Sequence, residues 1–116
     1  MLRIILLLLL LSGAAFAESG TTSRTTQFEN DKVLVWQTII YPSKNQRLQL
    51  HRHDRNRVLV AFNAGVLKVT NDKNQTHYLK FQKDKSYYLN KDVPNELHTD
   101  ENISGHPLNV LVIELK

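Results

Sequence analysis

In the stretch LHRHDRNRVLVAFNAG, residues 50–65, two histidines stand one position apart. Neutral imidazole is the commonest protein ligand for metal ions, and its own charge changes near neutral pH. On an extended strand successive side chains leave opposite faces, so His51 and His53 share a face with Cα atoms about 7 Å apart. Rings at that spacing can tilt toward one divalent ion and reach it at roughly 2.0 to 2.2 Å. A pair does not close a coordination sphere, and a solvated strand edge could carry the same two rings. A third imidazole stands in NELHTDENISG, residues 95–105, where His98 follows His53 by 45 positions.

For three such rings to meet, the chain must fold back on itself. Short runs rich in β-branched and aromatic residues occupy 33–41, 47–53, 57–62, 66–70, 76–81, 86–89 and 108–115. The segments YPSKNQ, HDRN, NAG, NDKNQ, QKDK, NKDVPN and ENISGHP separate them with turn-forming residues. No stretch sustains a helical period, so the pattern predicts an all-β barrel or sandwich. Within 47–53, strict alternation sets Leu48 and Leu50 on one face and Gln49, His51 and His53 on the other. Trp36, Tyr87 and Tyr88 are assigned first to the core. His77 and His106 are assigned to solvent.

Together these residues resemble the cupin family. Cupins carry a first motif of the form H-x-H-x(3,4)-E-x(6)-G and a second ending P-x-G-x-x-H-x(3)-N, on neighbouring strands of a small antiparallel barrel. His51 and His53 match the first two positions, Gly65 the closing glycine, and His98 with Asn102 the H-x(3)-N ending; the similarity runs from about Val33 to Leu115. It implies an all-β fold, a small antiparallel cupin-like (double-stranded β-helix or jelly-roll) barrel with His51, His53 and His98 converging in its mouth. It also implies one divalent metal ion, zinc, nickel, iron or copper, presented to a small polar ligand. Oxygenase, isomerase and lyase chemistry all occur on such barrels, so the resemblance selects no reaction. Pairing through barrel edges makes a homodimer the expectation by analogy.

The match is incomplete where cupins place their glutamate. Counted back from Gly65 that slot falls on Val58, and counted forward from His53 by the shorter spacing it falls on Arg57. Pro94 also precedes His98 by four positions instead of five, with Glu96 where a glycine is usual. Three imidazoles suffice to hold zinc, while hard ions such as manganese lose most when the carboxylate is absent. Glu96, two positions before His98, shares its face if the segment is extended, and is the candidate replacement ligand or general base. Asp54, adjacent to His53, points away.

Arg57 admits two readings. If it points inward, its charge opposes a cation, since unit charges 4 Å apart in an effective dielectric near 20 interact by about 4 kcal/mol. A metal-free barrel would then bind a small carboxylate, phosphate or sugar acid through Arg57 and the histidines. If it points outward, it is a solvated charge and Val58 lines the metal pocket. The turn at 54–56 resets the alternation, so both readings stand. Asn102 joins Arg57 as a ligand-binding candidate. A third reading is a structural or partner-binding β domain without a pocket function.

The N-terminus bears on where this takes place. Residues 1–17 open with one arginine, continue through an unbroken apolar run from Ile4 to Leu11, and end on AFA before Glu18. That is the layout of a secretory signal peptide. The run breaks at Ser12-Gly13, short of the about 20 apolar residues of a membrane span. Cleavage would leave 99 residues with fourteen basic and eleven acidic side chains, a net charge of +3. So small an excess does not indicate nucleic acid, and no membrane association is expected after cleavage. With no cysteine, no disulfide framework is available, which suits a bacterial periplasm or secretion into a setting where the core alone holds the domain. Residues 18–27, ESGTTSRTTQ, read as a flexible polar lead-in, and 28–116 as the barrel domain.

Overall fold

A computed structural model of the protein describes residues 20–116; the segment read as a signal peptide, 1–17, lies outside them. Nine strands follow in order: β1 (Ser23–Glu29), β2 (Val33–Ile40), β3 (Leu48–His51), β4 (Arg57–Ala61), β5 (Gly65–Asn71), β6 (Thr76–Phe81), β7 (Lys85–Leu89), β8 (His98–Asn102) and β9 (Leu108–Leu115). One 3₁₀ turn, Lys44–Gln46, is the only helical element among the described residues. The strands form a five-stranded sheet ordered β1-β2-β9-β4-β7 and a four-stranded sheet ordered β3-β8-β5-β6. All strand pairs are antiparallel.

The inward rows of the two sheets meet in one core. Alternation on β4, β8 and the first part of β9 is regular, with every second residue buried. Trp36, Ile40, Leu59, Ala61, Leu67, Phe81, Leu108, Val110 and Val112 form the central cluster. Close packing reaches its limit at Gly65, where an added Cβ would lie 2.8 Å from a Leu108 methyl and 2.9 Å from Ser104 Oγ.

The inward rows change character along the barrel. On β4 the buried residues run from Ala61 through Leu59 to Arg57, and on β9 from Leu108 through Val112 toward Glu114, which pairs in register with Arg57. On β8 they run from Asn102 through Asp100 to His98. One end of the barrel is therefore apolar except for Asn102, and the other collects ionisable groups.

Two strands lie outside the seven runs expected from sequence. The polar lead-in is corrected by β1, which pairs with β2 from Ser23↔Ile39 to Glu29↔Leu34. Every residue of β1 is exposed, so no burial pattern marks it. Ladder hydrogen bonds hold it, the Arg24 guanidinium sits 3.7 Å from the Trp36 ring centroid, and Asn30 Oδ1 accepts from the N–H groups of Lys32 and Val33 to turn the hairpin. The other addition is β8, which carries two of the site's side chains.

Candidate metal centre

β8 brings His98 and Asp100 inward because they are two residues apart on a regular strand. Its neighbour β3 is less regular. Leu48 pairs with Asp100 and His51 with His98, so three steps on β3 span two on β8. This bulge carries one extra residue and overturns the strict alternation read from 47–53. Leu48 packs against the core on the same side as His51, while Leu50 is 55 % exposed. His53 lies beyond the end of β3 and is held by the β7–β8 loop. Its N–H donates to Asp92 Oδ2 at 2.6 Å, and the Asp92 N–H donates to its carbonyl at 2.8 Å.

The three imidazoles meet. Ring centroids are 4.9 Å apart for His51 and His53, 4.4 Å for His51 and His98, and 5.5 Å for His53 and His98. Asp100 completes the group: its Oδ2 lies 3.2 Å from His51 Nε2 and 3.7 Å from His98 Nε2. One donor atom from each of the four residues lies within 4.8 Å of the other three. Ligands at roughly 2.0 to 2.2 Å from one ion stand no more than about 4.4 Å apart, so small ring tilts bring this set onto a common centre.

Hydrogen bonds already direct the ring nitrogens. His51 Nδ1 lies 2.6 Å from the Gln49 carbonyl, which can only accept, so the hydrogen sits on Nδ1. Its Nε2 faces His53 Nε2 at 3.1 Å and the Asp100 carboxylate at 3.2 Å. A nitrogen lone pair against a carboxylate is repulsive unless a cation lies between them. His98 Nδ1 stands 3.4 Å from Asp92 Oδ2, an arrangement that keeps its hydrogen on the outer nitrogen and leaves Nε2 for the centre. Three nitrogens and one carboxylate oxygen suit a borderline divalent transition metal, so the residues present fit such an ion.

The ionisation of the rings follows from the same contacts. Burial depresses His51, but hydrogen bonds to Asp100 and Gln49 outweigh it and leave its pKa raised. Without a metal, a proton on His51 can therefore serve as the cation facing Asp100. Burial, reinforced by the charges of Arg57 and His51, pushes His53 down to about 4. Burial also lowers His98, against the pull of Asp100. Neutral rings at these two positions are in the state that ligates metal.

His53, His98 and Asp100 open on a cavity of about 280 Å³ walled by Trp36, Leu59, Leu67 and Val110. His51 lines a more open neighbouring cleft that shares His53, Trp36 and Leu48 with the cavity. Arg57 lines the cavity and is 8 % exposed, so its side chain points inward. Alternation with buried Leu59 and Ala61 sets that direction. Its only protein hydrogen bond among the described residues runs from Nη1 to the Asn90 carbonyl at 3.3 Å.

Two other candidates are placed differently from expectation. Glu96 lies before the start of β8, in a turn whose N–H donates to Val93 O, and reaches the cavity wall without joining the ligating group. Glu96 lies outside β8, so strand alternation does not tie it to His98; the carboxylate in the group is Asp100. The same two-residue spacing that singles out His51 and His53 would have found it in H-T-D. Asn102 is inward on β8 but 2 % exposed and spent on the backbone. Its Nδ2 donates to Ile40 O and His106 O at 2.7 Å each, and its Oδ1 accepts from Ser104 N–H at 2.9 Å. It pins the turn after β8 and is not among the residues lining the cavity. His77 is exposed but reaches the cavity rim, and His106 donates or accepts at no ligand site, with Nε2 2.7 Å from Ala64 O.

No family model and no curated protein matches the sequence. Solved structures do match in shape. A cupin domain from Bordetella pertussis Tohama I superposes with a TM-score of 0.68 at 21 % identity, covering 85 % of this chain and 97 % of that one. A cupin-family protein with a double-stranded β-helix fold from Methanocaldococcus jannaschii gives 0.61 at 13 % identity, covering 84 % and 83 %. A cupin-2 domain protein from Shewanella frigidimarina gives 0.55 at 15 % identity, covering 84 % of each chain. The chain has the cupin fold, a double-stranded β-helix, as its motifs led one to expect.

Proposed function

We propose that this protein is an exported cupin-fold metal-binding protein, in which His51, His53, His98 and Asp100 hold one zinc, nickel, iron or copper ion and present it to a small polar ligand in the cavity. The observation that carries the reading is the convergence of three imidazoles and a carboxylate whose donor atoms lie within 4.8 Å of one another, with the His51 and His98 hydrogens directed outward. When bound, such an ion supplies Lewis acidity toward an oxygen of the ligand. The chain's own groups do the rest. Asp92 orients His98 and anchors His53, the apolar wall excludes water, and Arg57 faces any negative group that enters. The reaction is a property of this site and not of the fold, which hosts many unrelated activities.

The inward Arg57 supports a second reading, a metal-free barrel that binds a small anion through Arg57 and the histidines. Elemental analysis of residues 18–116, purified without a histidine tag, separates the two. The first reading expects about one metal ion per chain in the wild type and loss of it in His51→Ala and His98→Ala. Protein that takes up no metal, yet is stabilised by carboxylates unless Arg57 is replaced by Ala, would establish the second. Export is tested by mass: the first reading places the mature N-terminus at Glu18.

A further inference from the structure

We propose that the cavity takes a small monocarboxylate with an apolar body, its carboxylate lying between Arg57 and the histidine–aspartate group; the part of this that involves the ion rests on the metal-binding reading above. Arg57 provides the first observation. Its guanidinium belongs to a residue more than nine-tenths buried, yet it makes no salt bridge among the described residues. One long hydrogen bond uses one of its five N–H donors, and the other four have no protein acceptor among the described residues. No fully buried side-chain nitrogen or oxygen among the described residues lacks a partner, so those donors keep some exposure, and the cavity that Arg57 lines is where they find it. A buried guanidinium with an open fork is a seat for a planar two-oxygen anion.

Charge agrees with this. Arg57, Asp92 and Asp100, all lining the cavity, together carry one positive and two negative charges at its ionisable end. A divalent ion among the four ligating residues turns that net from minus one to plus one, and a monocarboxylate restores neutrality. At the rim Lys91 and Glu96 offset each other.

The remaining wall decides what the anion carries. Beyond the ionisable end the cavity is bounded by Trp36, Ile40, Leu59, Leu67, Val69 and Val110. Polyhydroxy acids would find too few partners there, and each unpaired hydroxyl would be desolvated at a cost. A cavity of about 280 Å³ lies just below the range of about 300 to 1,000 Å³ that holds drug-sized ligands, so it suits a smaller molecule. Hexanoate and benzoate fit that size; threonate has the same size as benzoate but carries hydroxyls.

Calorimetric titration of hexanoate, benzoate, threonate and hexan-1-ol into zinc-loaded and metal-free protein tests the inference. Hexanoate and benzoate should bind at least about tenfold more tightly than threonate or hexan-1-ol, since a charge-assisted contact and an apolar body are both required. Arg57→Met should weaken hexanoate by at least about tenfold while zinc still binds, and Arg57→Lys should restore part of the loss. Should neither Arg57 variant fold, the hexanoate and hexan-1-ol comparison in wild-type protein decides alone. Equal affinity for threonate and hexanoate, or unchanged hexanoate affinity in Arg57→Met, overturns the inference. So does stoichiometric zinc with no carboxylate binding, which leaves the metal reading intact. Conversely, hexanoate binding that depends on Arg57 in protein that takes up no zinc upholds the inference and removes the metal from it.

Discussion

Asp100 supplies the carboxylate of the ligating group, and its value to the site is electrostatic as much as geometric. Its oxygen is the only anionic donor in the ligating group, and it faces His51 Nε2 at 3.2 Å. Outer partners of metal ligands typically contribute 10- to 100-fold in affinity, so removing a direct ligand should cost at least about 100-fold. Asp100→Ala is expected to lose that much zinc affinity, and Glu96→Ala to change it less than about threefold, by competition with a chromogenic chelator. His53 gives a second, independent expectation. Its ring is held down to about 4, against 6.5 for a free imidazole. Above pH 6.5 it is neutral both folded and unfolded. Between 6.5 and about 4 the unfolded chain binds a proton that the folded ring refuses, so stability from this residue is lost as pH falls through that window, by at most about 3 kcal/mol. From pH 7 to 4.5 the metal-free protein should lose melting temperature more steeply than His53→Gln, with His98, also lowered, acting in the same direction and His51, whose pKa is raised, opposing it. A decline of equal slope in the variant would assign it to other groups.

At the scale of the element, the bulge in β3 is what aims His51. Alternation alone gives Leu48 and Leu50 one face and His51 the other, yet the extra residue turns Leu48 and His51 to the same side and Leu50 outward. Leu48→Ala should cost about 2 kcal/mol, whereas Leu50→Ser should stay within about 0.5 kcal/mol, by urea denaturation. Comparable losses at both positions would contradict the bulge. The seven runs with clear β composition are all strands, because their apolar period is written in single side chains. A bulge is written in pairing between residues as far apart as Leu48 and Asp100 and leaves no local mark. β1 was illegible for a related reason: all its residues are exposed, and main-chain hydrogen bonds, which every sequence can make, hold it. Asp100 is legible, since H-T-D repeats the spacing of H-R-H. The direction of Arg57 depended on where β4 begins after the 54–56 turn, which no run of residue types specifies.

Across the whole molecule, the barrel separates scaffold from site along its length. Leu108 is fully buried at the apolar end, beneath Gly65, and Ile40 and Ala61 are its companions in the core. Ionisable groups gather at the opposite end, where β3, β4, β8 and the β7–β8 loop meet. Leu108→Ala should thus lower stability by about 2 to 5 kcal/mol while leaving zinc affinity within about threefold, because distant sites with no shared partners act independently. A large loss of zinc affinity in that variant would mean that the two ends are coupled. Whether the four side chains share one ion is tested directly by anomalous diffraction at the zinc edge from crystals of the zinc-loaded protein. A single peak at roughly 2.0 to 2.2 Å from His51 Nε2, His53 Nε2, His98 Nε2 and an Asp100 oxygen is the predicted result. No peak there, or one held by other residues, would contradict it.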